Sequence, residues 1–130
     1  MRFEHVALNV AEPKAMAAWY CQHLGLRVRR ALPDQAQTHF LVDDSDQMML
    51  EIYCNPADQV PDYPNMHPLL LHLALVSVDP YADSKRLQQA GAQQVDEVNL
   101  ADGSLLLMLR DPWGLPLQLC RRGAVQLKQN

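Results

Sequence analysis

The feature that most constrains this chain is a phrase written twice. "HVALNV" begins at His5 and "HLALVS" begins at His72, 67 positions later, and at the same offset Glu51 in "MLEIYC" corresponds to Gln118 in "PLQLCR". The pattern around each phrase repeats as well. Residues 2–10 alternate, with Val6, Leu8 and Val10 on one side and Phe3, His5, Ala7 and Asn9 on the other, the period-2 signature of a strand. Pro13 suits the first turn of a helix, Met16, Tyr20 and Leu24 recur at helical spacing, and Gly25 is placed to end it. Strand-like segments at 26–32, 37–43 and 47–54, separated by the turn-rich "PDQA" and "DDSD", complete a β-α-β-β-β order. The second half repeats that order. A strand at 70–78 leads to Asp79 and Pro80 as N-cap and first helical residue, a helix to about Ala90 stops at Gly91, and strands follow near 92–98, 104–110 and 115–121. The two helix-ending glycines are 66 residues apart, one residue of slippage from the strand offset, so an internal duplication accounts for both.

The expected organisation is a single domain over 1–130, made of module 1 (1–54), a connector (55–68), module 2 (69–122) and a short tail (123–130). The connector carries Pro56, Pro61, Pro64 and Pro68 without periodicity and reads as a stiff, extended link. At 130 residues the chain is long enough to bury a core without covalent staples. Its 11 basic and 15 acidic residues give a net charge of -4, and the basic residues are scattered apart from Arg27, Arg29 and Arg30, which argues against nucleic-acid binding. No apolar run approaches the roughly 20 residues of a membrane span, and Met1-Arg2 leads straight into the alternating pattern without a signal-peptide core, so a cytoplasmic location is expected. Cys21, Cys54 and Cys120 are odd in number and lack C-x-x-C spacing, the pattern of buried free thiols rather than of disulfides or a thiolate zinc site.

Each repeated histidine shares a strand face with a small residue, Ala7 or Ala74, that leaves room above the sheet. Leu50 and Ile52 flank Glu51, and Leu117 and Leu119 flank Gln118, so each of these polar residues also lies opposite an apolar face. If the two modules curve around a pseudo-twofold axis, equivalent positions converge and His5, Glu51, His72 and Gln118 meet in one cavity. His39 in "THFLVDD" faces that cavity if Phe40 and Val42 face the core, which makes it a candidate catalytic base or substrate contact. His23 reads as a surface residue near a helix C-terminus, and His67 lies in the connector.

The segments "FEHVALNV", "WYCQHLGLRV" and "DPWGLPLQL", together with the paired modules, resemble the vicinal oxygen chelate superfamily, which includes glyoxalases, bleomycin-resistance proteins and extradiol dioxygenases. The resemblance spans residues 2–122. It implies an α+β fold in which two β-α-β-β-β modules form a curved mixed sheet around a central cavity. It also implies one divalent metal ion held at His5, Glu51, His72 and Gln118. Two imidazoles and a carboxylate are a ligand set that suits Zn, Ni, Co, Mn or Fe(II) and leaves positions open for water or substrate. A buried Glu51 without a cation would be costly. Gln118 departs from the family pattern, in which this position is most often a glutamate that moves a proton; a glutamine cannot, so ordinary glyoxalase isomerase chemistry is not implied.

Two functions follow as expectations. The first is a metal-dependent enzyme of lyase, isomerase or dioxygenase type, in which the metal acts as a Lewis acid on a small oxygen-rich substrate. The alternative is a metal-free small-molecule binding or resistance protein of the bleomycin-resistance type. Two one-face-covered modules leave sheet edges and apolar surface to cover, so a homodimer is expected, with neither nucleic acid nor membrane as a partner.

Overall fold

The computed structural model describes residues 1–124. The chain divides into two units, Met1–Pro61 and Asp62–Asn130. Each has an α+β organisation with one helix and one four-stranded mixed sheet. The curved sheet expected from the sequence is thus two hydrogen-bonded sheets, one per module. Of the expected tail, residues 125–130 lie outside the described residues.

In the first unit the elements are β1 (His5–Asn9), α1 (Pro13–Leu24), β2 (Arg27–Ala31), β3 (His39–Val42) and β4 (Met49–Tyr53), with sheet order β1-β4-β3-β2. β1 pairs with β4 in parallel, and the other neighbours are antiparallel. α1 starts at Pro13, whose missing N–H is not needed in a first turn, and ends at Gly25 in the left-handed conformation, its N–H bonded to the Tyr20 carbonyl. Met16, Ala17 and Tyr20 bury one face of the helix, Leu8, Leu41 and Ile52 are buried on the strands, and Val10 is buried just past the end of β1. Each large side chain fully buried in this way contributes roughly 1.5–3 kcal/mol.

In the second unit β5 (Leu73–Val76), α2 (Pro80–Gln89), β6 (Gln93–Asn99), β7 (Leu105–Arg110) and β8 (Pro116–Arg121) repeat the arrangement in the order β5-β8-β7-β6. Asp79 caps α2, its carboxylate accepting the Ala82 N–H at 3.1 Å. Leu105, Leu107 and Leu109 alternate along β7 and are buried with Leu87, Leu117 and Leu119.

The connector is more structured than its composition suggests. Tyr63–Asn65 form a turn of 3₁₀ helix, and Tyr63 is buried. The Arg110 guanidinium donates to the carbonyls of Tyr63 and Met66, both at 2.7 Å, and of Gly114 at 3.1 Å, so one charged side chain holds this segment to the end of β7. The expected strand 70–78 starts at Leu73, because the Leu70 N–H closes a turn onto the His67 carbonyl instead of joining the ladder. Of the thiols expected to be buried, only Cys120 is; Cys21 and Cys54 are partly exposed.

Both modules carry an irregularity at the same place on the outer strand. The register slips between Val28 and Arg30 in β2 and between Gln94 and Asp96 in β6, which leaves Arg29 and Val95 without a cross-strand partner. Each is a β-bulge, which bends the strand and re-aims its side chains.

The β7–β8 turn sets a sharp test. Gly114 has φ +84, and a Cβ there would lie 2.4 Å from Pro64 Cγ and 2.7 Å from Pro64 Cα, whereas Gly103 at φ +85 faces open space. Gly114→Ala should therefore cost roughly 2–4 kcal/mol in urea unfolding, against about 1–2 kcal/mol of left-handed strain alone for Gly103→Ala. Equal losses would show that the Pro64 contact is not tight.

Hydrogen bonds favour the ionised form of three aspartates. Asp34 accepts the Thr38 N–H at 2.9 Å and hydroxyl at 2.7 Å, Asp83 accepts the Ser77 hydroxyl at 2.6 Å, and Asp102 accepts the Ser104 N–H at 2.8 Å. These bonds hold each carboxyl below the usual carboxylate range. A depressed folded value means stabilisation that is present above the unfolded value, about 4, and lost as pH falls through the folded one. The stability gap between wild type and Asp34→Asn should therefore be full at neutral pH and close toward pH 2 in pH-dependent urea titrations.

Candidate functional site

The face of the first sheet opposite α1 is built by strand register. Ala7 pairs with Glu51, Glu51 with Phe40 and Phe40 with Arg30, so these four residues form one row across β1, β4, β3 and β2. The adjacent row is His5, Met49, Val42 and Arg27. Cross-strand partners project to the same side, so His5 and Glu51 share a face, and Ala7 is its small floor. The His5 ring stands edge-on to Phe40 with centroids 6.4 Å apart.

His5 and Glu51 are brought together, Nε2 to Oε2, at 3.2 Å. On its other nitrogen, Nδ1, His5 is bonded to the Glu4 carboxylate. A carboxylate is an acceptor only, so Nδ1 carries the proton and Nε2 of a neutral ring points its lone pair at Glu51. Two lone pairs at this distance repel unless a proton or a cation lies between them. The His5 pKa is accordingly raised, first by the Glu4 hydrogen bond, against some desolvation, and then by the charges of Glu4 and Glu51. Side-chain exposure is 40% for His5 and 18% for Glu51, so the pair is open to a ligand.

The second unit places His72 and Gln118 by the same construction. Ala74 pairs with Gln118, Gln118 with Met108 and Met108 with Asp96, the row equivalent to Ala7, Glu51, Phe40 and Arg30. His72 lies just before β5, and its Nδ1 donates to the Pro68 carbonyl at 2.9 Å. That bond fixes the tautomer with Nε2 as the lone-pair nitrogen, as Glu4 does for His5. An oxygen acceptor on the far nitrogen is the usual support of a metal-bound imidazole. Gln118 Oε1 accepts the Cys120 thiol at 3.2 Å. Within either unit, no three His, Cys, Asp or Glu side chains among the described residues are grouped to hold an ion.

His39 does not lie where the sequence reading put it. It pairs with Ile52, which is fully buried, so it shares the helix-side face with Leu41 and Ile52, and its Nδ1 bonds the Gln37 carbonyl at 2.6 Å. Phe40 takes the place on the His5 and Glu51 face. The reversal arises because β3 is short and its inward residues are Leu41 and His39, whereas the alternation alone admits either phase.

Two clefts flank the pair, and the sequence reading missed both. One, of about 400 Å³, is lined by Asn9, Tyr53, Asn55, Asp58, Gln59 and Pro61. Asn9 builds it by donating to the Gln59 carbonyl at 3.3 Å and accepting the Asn55 N–H at 2.8 Å. The other, also of about 400 Å³, includes Arg2, Glu4, Arg29, Val42, Asp46 and Met49 in its lining. Asn9 continues the His5 and Ala7 alternation, a signal by which the first could have been found; the second depends on the bulge, which leaves no mark in composition.

A model of a glyoxalase-like domain matches residues 5–120. Among solved structures, SMU.1112c is 26% identical with a TM-score of 0.71, covering 93% of this chain and 98% of its own. TnmS3, an antibiotic binding protein from Streptomyces sp. CB03234, is 18% identical with a TM-score of 0.70, covering 94% and 96%. A member of the glyoxalase/bleomycin resistance protein/dioxygenase superfamily from Sphaerobacter thermophilus DSM 20745 is 14% identical with a TM-score of 0.65, covering 92% and 96%. No curated protein matches the chain. With 116 consecutive residues, 5 through 120, matched by one family model and both modules present in its fold, this chain belongs to the glyoxalase-like domain family.

Proposed function

We propose that this protein is a metal-dependent enzyme that binds a small oxygen-rich substrate, with lyase, isomerase or dioxygenase chemistry, and that His5, Glu51, His72 and Gln118 hold one divalent ion. The observation that carries this reading is the facing of His5 Nε2 and Glu51 Oε2 at 3.2 Å, two lone-pair atoms that need a cation or proton between them. The matched tautomers of His5 and His72 support it, since each presents Nε2 as a ligand atom. The donor set of two imidazoles, a carboxylate and an amide oxygen suits Zn, Ni, Co, Mn or Fe(II). Bound there, such an ion supplies Lewis-acid stabilisation of an oxyanion. The protein's own contribution is orientation: Glu4 and the Pro68 carbonyl fix the imidazoles, and Ala7 and Phe40 give a floor on which a substrate lies. Gln118 holds no transferable proton, so the reading excludes it as the base.

Metal titration with a competing fluorescent chelator tests this. His5→Ala and Glu51→Gln should each lower affinity by roughly 100-fold or more, and Glu4→Gln, which removes only the support, by roughly 10–100-fold. A raised His5 pKa means that a proton competes at Nε2, so affinity should fall as pH drops through that value and recover above it. Wild-type affinity in both His5→Ala and Glu51→Gln would overturn the assignment.

The second reading is a metal-free binder, favoured by the likeness to an antibiotic binding protein and by a His5 that readily takes the proton itself. Elemental analysis of untagged protein purified without chelator separates the two. Near-stoichiometric transition metal supports the enzyme, and its absence after metal soaking supports the binder.

We also propose a homodimer. Leu69, Leu70, Val76 and Val78 of the second unit are each more than 70% exposed, an apolar group that a partner surface would cover. Light scattering at micromolar concentration should give twice the 14.7 kDa chain mass; a monomer mass would refute the proposal.

A further inference from the structure

The arginine group of β2 is the one cluster singled out in the sequence that the proposed site does not use. In a regular strand, Arg27 and Arg29 would face one way and Val28 and Arg30 the other. The bulge changes this. Arg27 pairs with Val42 and Arg30 with Phe40, so both project on the side of His5 and Glu51, while the unpaired Arg29 lines the cleft whose wall includes Val42 and Met49 of that same side. One inserted residue thus collects three guanidiniums on the face that holds the candidate site.

Their charges are not equally available. Arg27 is neutralised by an ion pair with Asp46. Arg29 and Arg30 are exposed and make no ion pair among the described residues. β2 and β4 flank β3, so the Cα atoms of Arg30 and Glu51 stand roughly 10 Å apart, with Phe40 between them. A small molecule lying on Phe40 can meet His5 and Glu51 at one end and a guanidinium at the other. The bulge of the second module argues that the arginines are not there for the fold: the same geometry is built with Val95 in the place of Arg29 and Asp96 in the place of Arg30.

We propose that the substrate carries, beyond the oxygens that meet His5 and Glu51, an anionic oxyacid group bound by Arg30 with Arg29 beside it. The proposal deepens the substrate-site reading of this face and rests on that reading, though not on the metal. A guanidinium offers two parallel N–H donors to a carboxylate or a phosphoryl group, and in an open site such a charged hydrogen-bonded pair is enough to select a charged substrate tail over a neutral one.

Calorimetric titration with four 2-hydroxy acids tests this. L-Malate and L-lactate share a head and differ in a tail carboxylate; 3-phosphoglycerate and glycerate share a head and differ in a tail phosphoryl group. Each is titrated with and without one equivalent of Mn²⁺. In the wild-type protein, the charged-tail member of at least one pair should bind roughly tenfold or more tighter than its neutral-tail partner, and the pair that responds identifies the tail chemistry. Arg30→Gln should bring that preference close to one, and Arg30→Lys should restore part of it. A charged residue on an outer strand also discourages edge pairing, so Arg30→Glu, which keeps the edge charged but reverses its sign, is the second variant; it should disfavour the charged tail. No tail preference in the wild type, or a preference that survives both Arg30→Gln and Arg30→Glu, overturns the proposal. An Arg30-dependent preference without Mn²⁺ binding upholds it while excluding Mn²⁺ as the ion of the site, and Mn²⁺ binding without any tail preference overturns it while leaving the metal reading in place.

Discussion

The parallel pairing of β1 with β4 is the constraint on which the candidate site depends. Side chains alternate along a strand, so a slip of one residue would carry Glu51 to the helix side and expose Ile52. Burial of Leu8, Val10 and Ile52 with Met16 and Tyr20 of α1 makes that slip expensive, so apolar packing on one face positions polar chemistry on the other. Backbone bonds close both ends of the ladder: the Met49 N–H meets the Glu4 carbonyl at 2.9 Å, and the Val10 N–H meets the Tyr53 carbonyl at 2.8 Å. The former ties the residue that orients His5 to the strand that carries Glu51. In the second module the pairing of Ala74 with Gln118 and the bond from the Ser77 N–H to the Cys120 carbonyl, at 2.9 Å, repeat the device.

The duplication kept the backbone and released the side chains. Equivalent rows read Ala7, Glu51, Phe40, Arg30 in one module and Ala74, Gln118, Met108, Asp96 in the other. The apolar floor position stays apolar. The polar positions have diverged in charge, from Glu to Gln and from Arg to Asp. Selection on stability acts on the helix-facing residues, where a lost methylene costs about 1 kcal/mol. On the open face a charge change leaves stability almost untouched, so binding is free to set those residues.

This division explains how much could be read beforehand. Element order and both helix starts follow from period and from residues whose roles are local, such as Pro13, Gly25 and Asp79, whereas the meeting of His5 with Glu51 was expected only from the repeat and the family resemblance. The phase of β3 was misjudged because "HFLV" offers a polar residue and an aromatic one that could each face either side, and burial of Leu41 against α1 decides. The order within the connector was missed because Tyr63 and Gly114 are joined by Arg110, 47 residues from Tyr63, and a contact of that separation has no local signal. The bulge was missed for a related reason: "RVRRA" reads as a regular strand until its register against β3 is known.

What separates the two functional classes for this face is what sits between His5 Nε2 and Glu51 Oε2. A proton there makes His5 a cation and leaves the pair neutral overall; a divalent ion leaves His5 neutral and gives the pair a net positive charge. Glu4 holds the ring and the β1–β4 register places the carboxylate without either occupant. A binding protein and an enzyme can therefore share this backbone and these two residues and differ only in the affinity that the remaining ligands add. The anion contact proposed for Arg30 does not involve either His5 or Glu51, so it is independent of whether a proton or a divalent ion occupies the gap. Under these proposals, the arginines would serve either class, and only metal binding would separate an enzyme from a binder.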